Sequence, residues 1–306
     1  MNRFQVQQPE LNITERDTRL VTLAGLCHDL GHGPFSHAFE DWAGRHRPGW
    51  HHEDMSLKMV EYLVDENALE YDRDDVRMIQ ALIAGERPLA SDNEKAFLFD
   101  IVSNSRNSVD VDKFDYLARD CHNLGMKCSY DCSRLMTFSR VINNEICFHH
   151  KEVYNIYELF HTRYSLFKQV YTHRVGKAVE YMILDILTLA DPFLHLSSCL
   201  DNPSDFYSLT DSVLRTIECS KLPELQDAQK LIRDLRKRKL YKFVDEVLVP
   251  PELWSDFYDG VRLNITTDRS LIRLVHSFDS LNSFTRTGRS LPRTLYLAIA
   301  NSRMTM

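Results

Sequence analysis

The sequence contains no long apolar run, and no stretch approaches the roughly 18 consecutive apolar residues that a membrane span requires. Basic residues are not in excess, since 37 Lys and Arg face 44 Asp and Glu and the formal net charge is −7. Proteins that neutralise many phosphates of duplex DNA are usually basic, so this composition argues against duplex binding. The N-terminal segment has no apolar stretch behind a basic start, which argues against a secretory signal. We therefore expect a soluble intracellular protein without a membrane partner.

A cysteine framework is also lacking. The seven cysteines are odd in number and dispersed, which is typical of free thiols in a reducing compartment. Cys128 and Cys132 have no second close pair, so a structural zinc site is not expected. Hydrophobic residues make up 43% and charged residues 26% of the chain, which is ordinary for a folded protein.

Apolar periodicity predicts a mainly α fold with a few short β-strands. Thr14 with Asp17 resembles a capping box, and the apolar stripe that follows predicts a helix running to Asp29, where glycines end it. Further helices are predicted at about 52–67, 73–84, 93–104, 110–121, 131–141, 153–173, 176–191, 205–220 and 223–239. Strands are predicted at 145–149 and 241–249. Asn143 and Asn144 predict a hairpin turn before the first strand.

One short segment concentrates metal-ligand chemistry. LCHDLGHGPFSH places three histidines and one aspartate within ten positions, beginning with His28 and Asp29. Gly31 and Gly33 permit close backbone approach, so an imidazole and a carboxylate can turn toward one ion. We therefore predict that His28 and Asp29 are metal ligands rather than capping or core residues.

A second carboxylate is needed to complete the shell of the ion. The segment NSVDVDKFDYLARD supplies four aspartates on a predicted helix start and its first turns. Acidic residues at a helix start often only complement the helix dipole, and that interpretation fits Asp110 best. We predict Asp112 as the third ligand. Mixed nitrogen and oxygen donors suit Mg, Mn, Fe, Co or Zn, so the sequence leaves the identity of the divalent metal open.

The predicted chemistry is metal-assisted hydrolysis of a phosphate ester. A divalent cation polarises a phosphoryl oxygen and activates water near neutral pH. The leaving oxygen then needs a proton, and His32, His37 and His52 are the nearby candidates with a suitable intrinsic pKa. His46 and His51 lie in polar stretches and are expected to be surface residues.

Four segments together resemble one known family. LCHDLGHGPFSH, ITERD, IVSNSRNSVDVDKFDYLARD and LFHTRYSL are similar to motifs of the SAM and HD domain-containing deoxynucleoside triphosphate triphosphohydrolases, and the similarity covers about residues 9–249. The resemblance implies an HD-domain helical bundle. It also implies metal-dependent hydrolysis of dNTPs to a deoxynucleoside and inorganic triphosphate.

The resemblance assigns roles to individual residues. The metal ligands that it implies are His28, Asp29 and Asp112. The residues that it implies around the scissile phosphate are His32, His37 and His52, with His52 as proton donor and Glu40 as its acidic partner. The substrate contacts that it implies are Lys113, Tyr116 and Arg163 for phosphate, Asp120 for the sugar 3′-hydroxyl, and Tyr171 for the sugar face. An aromatic ring packed against the sugar disfavours a ribose 2′-hydroxyl, and cations and phenols disperse triphosphate charge.

The same resemblance implies regulation and assembly. The residues that match a nucleotide-activation site are Arg134, Lys151, Asn155 and His173. His149 and Gln169 stand where the family has arginines. The family is activated by GTP and dNTPs and works as a tetramer, so we expect these activators and a homo-oligomer. A nuclear location is implied, with the cytoplasm as the alternative.

We predict three segments within the chain. Residues 1–200 are expected to form the HD phosphohydrolase core, residues 201–249 a helical and strand extension, and residues 250–306 a divergent, poorly ordered tail. The family has a further metal-binding histidine upstream of the part that matches residues 9–17, and no histidine precedes His28 here. We therefore expect a chain that is truncated at its N-terminus relative to the family and impaired in metal binding.

The sequence leaves open two alternatives to a dNTP triphosphohydrolase. The first is a catalytically inactive relative that binds nucleotide or single-stranded nucleic acid, or that modulates full-length subunits. The second is a phosphodiesterase for cyclic nucleotides or nucleoside monophosphates, which does not need Arg163 and Tyr171 at their positions. The basic run from Arg233 to Lys242 is either the solvated end of a helix or a phosphate-binding surface.

Overall fold

The computed structural model describes residues 1–86, 95–249, 273–275 and 293–299, and these residues are mainly helical, as the sequence predicts. The helices are α1 (Asn2–Gln7), α2 (Glu15–Cys27), α3 (His37–His46), α4 (His52–Glu66), α5 (Arg73–Ala84), α6 (Phe99–Val102), α7 (Val111–Leu124), α8 (Cys132–Thr137), α9 (Val153–Leu166), α10 (Arg174–Leu194), α11 (Pro203–Phe206), α12 (Val213–Cys219) and α13 (Gln226–Arg236). The strands are β1 (Ser139–Ile142), β2 (Glu145–Phe148), β3 (Lys242–Val249), β4 (Arg273–Val275) and β5 (Arg293–Ile299). Within the described ranges, no helix is long and apolar enough to cross a membrane.

The chain divides into two compact units. The first comprises Met1–Tyr171 and His195–Val213, and the second comprises Thr172–Leu194 and Leu214–Met306. Every residue predicted for the active site lies in the first unit. The division into segments 1–200, 201–249 and 250–306 remains a prediction. The predicted tail from residue 250 lies outside the described residues except for β4 and β5.

Helix α2 begins at the predicted capping box. The hydroxyl of Thr14 accepts the backbone N–H of Asp17 at 3.1 Å, and the Asp17 carboxylate accepts the backbone N–H of Thr14 at 2.8 Å. These two bonds satisfy N–H groups that the first turn of a helix leaves open. The helix ends at Cys27, so His28 and Asp29 lie in the turn that follows it.

Gly31 lets this turn approach α4 closely. A β-carbon at Gly31 would lie 2.0 Å from the carbonyl oxygen of His52 and 2.3 Å from the backbone nitrogen of Ser56, far inside van der Waals contact. The backbone N–H of Gly31 donates to the Ser56 hydroxyl at 2.8 Å. The start of α4, with His52, is therefore held against the turn that carries His28.

Hydrophobic clusters stabilise the first unit, and two of them concern the helices that carry the predicted metal ligands. One packs α2, α5 and α6 through buried side chains such as Leu20, Leu82 and Phe99. The other packs α7 and α9 through Leu117 and Leu159. Full burial of one such side chain contributes about 1.5–3 kcal/mol. These clusters fix α2 and α7, which position the predicted metal ligands.

A hairpin replaces the end of one predicted helix. The helix predicted at 131–141 is wrong beyond Thr137, because β1 starts at Ser139 and pairs antiparallel with β2. Asn143 and Asn144 form the predicted turn, with φ of 50° and 61° in the left-handed region that asparagine tolerates. β1 has only four residues, so its alternation of buried and exposed positions is too short to outweigh a helical pattern.

Other helices also differ from the prediction: α1 is absent from the predicted set, and α6 covers only Phe99–Val102 of the helix predicted at about 93–104. α3 is absent from the predicted set, although Phe39 and Trp42 on one of its faces are fully buried. The helix predicted at 205–220 is divided into α11 and α12. Between them the Thr210 and Ser212 hydroxyls bond each other at 2.7 Å, and such local side-chain bonds compete with helix formation.

In the second unit, α10 packs against α13, and β5 pairs antiparallel with both β3 and β4. The hydroxyl of Tyr241 donates to the Asp185 carboxylate at 2.8 Å. Burial raises the pKa of Tyr241 to about 12. β3 confirms the strand predicted at 241–249.

Candidate metal and phosphate site

His28, Asp29 and Asp112 lie together in the first unit. The Nε2 atom of His28 lies 3.3 Å from Asp112 Oδ1 and 3.4 Å from Asp29 Oδ2. One ligand atom from each residue lies within 4.8 Å of the other two. His28 follows α2 directly and Asp112 lies in the first turn of α7, so the fold brings together ligand atoms from residues 84 positions apart.

The orientation of His28 suits a metal ligand. Its Nδ1 lies 2.8 Å from the carbonyl oxygen of Gly25, and a carbonyl oxygen can only accept, so Nδ1 carries a proton. In the neutral ring, Nε2 then presents its lone pair toward the two carboxylates. One imidazole nitrogen and two carboxylate groups form a donor set that fits a divalent cation.

The ionisation of this cluster follows from its geometry. The hydrogen bond to Asp112 raises the pKa of His28 to about 9, against the opposing effect of burial. Burial alone would raise the pKa of Asp112, but the hydrogen bond from His28 and the charges of Lys113 and Arg163 lower it. A proton on His28 therefore offsets the two carboxylates in the metal-free protein, and a bound cation would displace that proton.

His32, His37 and His52 form a histidine cluster beside these residues. The rings of His32 and His52 stack with centroids 3.9 Å apart, and His37 meets the two rings edge-on at 5.1 and 5.7 Å. His32 Nε2 lies 3.7 Å from Asp29 Oδ1, which links the two groups. Burial and the charges of His52 and His37 lower the pKa of His32 to about 3, so this ring is neutral near pH 7.

Glu40 orients His52. The Nδ1–H of His52 donates to Glu40 Oε2 at 2.9 Å, and the His52 backbone N–H donates to Oε1 at 3.3 Å. Burial alone would lower the pKa of His52, but the hydrogen bond to Glu40 raises it. Burial alone would raise the pKa of Glu40, but hydrogen bonds from His37 and His52 hold it far below its usual range. The pair can therefore keep a proton on His52 near neutral pH, as a general acid requires.

The three predicted phosphate contacts lie close to Asp112. The Nε–H of the buried Arg163 donates to the Tyr116 hydroxyl at 3.2 Å. The Lys113 ammonium lies 3.1 Å from the buried carboxylate of Asp110. Both cations lower the pKa of Asp112, so their charge reaches the predicted metal ligands. Burial raises the pKa of Tyr116 and keeps its phenol protonated as a donor.

Asp120 and Tyr171, the predicted sugar contacts, bond each other. The hydroxyl of Tyr171 donates to the Asp120 carboxylate. Burial and this hydrogen bond raise the pKa of Tyr171. Tyr171 closes a single π-helical segment, Phe167–Tyr171, that follows α9. Such segments are rare and occur frequently at functional sites.

Two residues of the predicted nucleotide-activation site converge on one buried carboxylate. Arg134 forms an ion pair with Glu152, and the Asn155 amide donates to Glu152 Oε2 at 3.1 Å. Lys151 precedes Glu152 in the same short helical turn. His173 lies in the second unit. The first unit thus brings together three of the four predicted residues.

Sequence reasoning missed the residues that orient the predicted ligands. The Gly25 carbonyl fixes His28, and a histidine three positions after a helical carbonyl is the signal that would have indicated this contact. Asp110 lies at the start of α7, as predicted, where it accepts the Lys113 backbone N–H at 3.1 Å, and the contact that was missed is its ion pair with the Lys113 ammonium. Tyr130 donates to a carbonyl in the first turn of α7 at 3.2 Å, a tertiary contact without a local signal.

Comparison with known proteins gives consistent relatives. Residues 5–120 match the HD domain. The chain is 57% identical over 263 residues to the deoxynucleoside triphosphate triphosphohydrolase SAMHD1 homolog of Dictyostelium discoideum. The matched region covers 83% of this chain and 50% of that protein. It is 38% identical over 313 residues to the Gallus gallus SAMHD1, and this match covers 88% of this chain and 50% of the relative. It is 39% identical over 280 residues to the Homo sapiens SAMHD1, and this match covers 78% of this chain and 44% of the relative.

The helical fold, the domain match and the His–Asp cluster define an HD-domain protein. Within that class, the chain is similar over most of its own length to the SAMHD1 deoxynucleoside triphosphate triphosphohydrolases. The resemblance seen in the sequence motifs is confirmed. The chain spans about half the length of the curated relatives that it matches.

Proposed function

We propose that this protein is a metal-dependent hydrolase that converts dNTPs to a deoxynucleoside and inorganic triphosphate. The observation that carries the proposal is the cluster of His28, Asp29 and Asp112 beside the Glu40-bound His52, since it joins a cation site to an oriented proton donor. The names of relatives at 57% and 38% identity support the substrate class.

His28, Asp29 and Asp112 would hold the divalent cation. The fit rests on His28 Nε2, which lies close to both carboxylates and would offer its lone pair once a cation displaced its proton, because Nδ1 is bonded to a carbonyl oxygen. The donor set accepts Mg, Mn, Fe or Zn. When bound, the cation supplies Lewis-acid activation of the phosphoryl group and of water.

His52 is the proposed proton donor to the leaving oxygen. Glu40 occupies its Nδ1, so Nε2 is the atom that delivers the proton. His32 and His37 are proposed to contact the scissile phosphate. The His32 Nδ1 is buried and has no hydrogen-bond partner in the part of the chain that the structure describes, and a phosphate oxygen is a suitable partner for it.

The proposed triphosphate contacts are Lys113, Tyr116 and Arg163. Their ammonium, phenol and guanidinium groups donate hydrogen bonds and disperse negative charge. Asp120 and Tyr171 are proposed to contact the sugar. The ring of Tyr171 is fixed by its bond to Asp120, and a fixed ring rejects the additional 2′-oxygen of a ribonucleotide.

We further propose activation by GTP and dNTPs at Arg134, Lys151, Asn155 and His173, as the resemblance implies. Arg134 is already paired with Glu152. A nucleotide phosphate must therefore compete with this carboxylate for the guanidinium group. A nuclear location is proposed on the resemblance alone.

A homo-oligomer, as the resemblance implies, is supported by an exposed aromatic face on α9. Tyr154, Tyr157 and Tyr164 are 71%, 63% and 56% exposed. Tyr157 stacks on His161 with centroids 6.1 Å apart. Exposed aromatic groups of this kind are enriched at protein interfaces.

A second candidate function is the binding of single-stranded nucleic acid without catalysis. The observation that favours it is the same aromatic face, because Tyr154, Tyr157 and His161 present stacked rings on which bases can stack. This reading needs no cation at Asp112. A substitution of Asp112 therefore distinguishes the two proposals, because it should abolish hydrolysis and leave binding of single-stranded nucleic acid unchanged.

The test is release of triphosphate from a dNTP mixture with GTP and Mg²⁺ or Mn²⁺. The intact chain is compared with Asp112→Ala and with a matched control, Asp115→Ala. Asp115 lies on the same helix, but its side chain is 64% exposed and pairs with Arg119. Release that is lost in Asp112→Ala and retained in Asp115→Ala supports the proposed hydrolase.

One outcome of this assay contradicts the proposed hydrolase. No triphosphate release from the intact chain, with a metal content well below one ion per chain, overturns the hydrolase proposal. Fluorescence anisotropy of a labelled single-stranded oligonucleotide then tests the second candidate. Binding that is lost in Tyr157→Ala and kept in Asp112→Ala supports it.

A further inference from the structure

The turn that leads into α3 is strained. Phe35 and Ser36 follow one another with φ of 62° and 51°, in a region that residues other than glycine rarely adopt. Ser36 also has ψ of −114°, and this combination is typical of glycine at the first central position of a type II′ turn. Strained residues persist only where surrounding contacts hold them, and they cluster at functional sites.

Ser36 occupies the N-cap position of α3 without acting as an ordinary cap. An N-cap serine normally has an extended backbone, and its hydroxyl accepts an N–H group of the first helical turn. Here φ is positive, and the Ser36 hydroxyl makes no capping bond. The strained conformation therefore brings no capping bond to the helix.

The turn determines how α3 begins. The carbonyl oxygen of Ser36 accepts the backbone N–H groups of Phe39 at 3.0 Å and Glu40 at 3.1 Å. His37 is the first residue of the helix, and its Nδ1 lies 3.3 Å from Glu40 Oε2. The conformation of this turn thus determines where the His37 and Glu40 side chains lie relative to the histidine cluster.

A side chain that is distant in sequence holds the turn. The Asp211 carboxylate accepts the backbone N–H of Phe35 at 2.9 Å, across 176 positions of the chain. Asp211 lies between α11 and α12, in the same compact unit as Phe35. A bond from a backbone N–H to an ionised carboxylate is stronger than a bond between neutral groups.

The segment that carries Asp211 packs against α3. Phe206 in α11 is buried, and its ring centroid lies 6.2 Å from that of Phe39 in α3 and 6.1 Å from that of Trp50. Val213, two positions after Asp211, is also buried. The carboxylate is therefore presented by a segment with buried side chains before and after it.

We propose that Asp211 is a positioning residue for the proposed hydrolysis. Its carboxylate holds the strained turn and thereby places His37 in the histidine cluster, with its ring centroid 5.1 Å from that of His32 and 5.7 Å from that of His52. Asp211 acts through the backbone of Phe35. The catalytic consequence rests on the proposed function, whereas the placement of His37 does not.

The placement is tested by NMR in the metal-free protein without substrate. Hydrogen exchange of the Phe35 amide and NOEs between the His37 and His52 ring protons are recorded. Asp211→Ala is expected to speed the exchange by about tenfold or more and to weaken the NOEs. Asp211→Asn keeps an acceptor oxygen and should retain both signals. Rapid exchange of the Phe35 amide in the intact chain overturns the proposal without the need for any variant.

Asp205→Ala is the matched control. Asp205 is an exposed carboxylate of the same segment and accepts a hydrogen bond from the Asn202 amide at 3.1 Å. The control should leave the exchange and the NOEs unchanged. Thermal melts identify folded variants. Equal effects of folded Asp205→Ala and Asp211→Ala overturn the role of Asp211.

Ser36→Gly separates the holding of a strained turn from a general loss of stability. Glycine adopts positive φ without steric cost, so the turn should depend less on Asp211 in this background. Asp211→Ala is therefore expected to weaken the His37–His52 NOEs less in Ser36→Gly than in the parent. An equal or larger loss in the glycine background overturns the claim that Asp211 holds a strained turn.

The catalytic consequence is tested by steady-state release of triphosphate from dNTPs with saturating Mn²⁺. Since a displacement of about 1 Å can lower a rate by about 100-fold, Asp211→Ala is expected to lower kcat by about ten- to hundredfold. KM should be nearly unchanged, because the proposed triphosphate contacts lie on α7 and α9. Asp211→Asn should restore most of kcat.

The contrary results of this assay are distinct. A rise in KM alone, or equal kcat in Asp211→Ala and Asp205→Ala, overturns the positioning role. No release from the intact chain overturns the proposed function and with it the catalytic consequence. The exchange and NOE results then still decide whether Asp211 places His37.

Discussion

Replacing Glu40 with glutamine is expected to lower the pKa of His52. Glu40→Gln keeps the size of the side chain and can still accept the His52 Nδ1–H bond, which is 2.9 Å long. It removes the negative charge and replaces one acceptor oxygen with an amide NH2 group, so the longer bond from the His52 backbone N–H is lost as well. The two side chains are 20% and 13% exposed, so water screens the pair incompletely and the charge effect should be large.

The size of the effect follows from the type of hydrogen bond. A bond to a charged group contributes about 1.5–3 kcal/mol, compared with about 1 kcal/mol between neutral groups. One pKa unit corresponds to about 1.4 kcal/mol. The expected fall in the pKa of His52 is therefore about 1 unit. Glu53, 3.3 Å from the same nitrogen, retains its charge and limits the fall.

An NMR titration of the His52 ring protons in the metal-free protein measures this pKa, and His52→Gln assigns the signal. Glu53→Gln is the matched control, because Glu53 is exposed and should have a smaller effect. An unchanged pKa of His52 in Glu40→Gln would refute the reasoning. A larger fall in Glu53→Gln than in Glu40→Gln would refute it as well.

Three further predictions concern stability and the metal cluster. Leu117→Ala removes a fully buried side chain of α7 and should lower the free energy of unfolding by about 2–5 kcal/mol in a denaturant titration. Gly31→Ala places a β-carbon 2.0 Å from the His52 carbonyl oxygen, so melting temperature and Mn²⁺ affinity should fall together. His28 has a pKa of about 9 in the folded metal-free protein against 6.5 as its ordinary value. Its stabilising contribution is therefore complete below pH 6.5 and lost as the pH rises toward 9, and His28→Gln should flatten that part of the melting-temperature profile.

Each of these predictions has a control or a contrary result. Leu124→Ala, half exposed at the end of the same helix as Leu117, should change stability by only about 0.5 kcal/mol. Equal losses in the two leucine variants would contradict the packing argument. Unaltered Mn²⁺ affinity in Gly31→Ala would show that the close approach to α4 is unimportant for the site. A His28→Gln profile parallel to that of the parent would contradict the assigned pKa.

The local part of the site was predictable because its signals are adjacent in the chain. Thr14 and Asp17 predict the start of α2, and the glycines after Asp29 predict that the helix ends before them. His28 and Asp29 are neighbours, so their meeting at one point needs no knowledge of the tertiary structure. Asp112 was chosen from four aspartates, and the structure places its carboxylate 3.3 Å from His28.

The contacts that orient these groups could not be predicted from local patterns. Glu40 reaches His52 across the junction of two helices, and one of them, α3, was not predicted at all. Its role came from the family resemblance alone. Lys113 was expected to contact phosphate, and no sequence signal indicated that Asp110 also binds its ammonium group. Such pairings depend on how α7 is packed rather than on sequence spacing.

The hairpin shows the same limit. Four residues of β1 are too few for a period-two pattern to be distinguished from a helix.

The most direct test of the account is the affinity of the metal-free protein for Mn²⁺, measured by titration for the intact chain, Asp112→Ala and Asp115→Ala. We predict one ion per intact chain and a similar affinity in Asp115→Ala. Asp112→Ala should weaken binding by more than about 100-fold, since even residues that only support a metal ligand contribute about 10–100-fold. Equal affinity in all three proteins, or no binding by the intact chain, would contradict the claim that His28, Asp29 and Asp112 form the cation site.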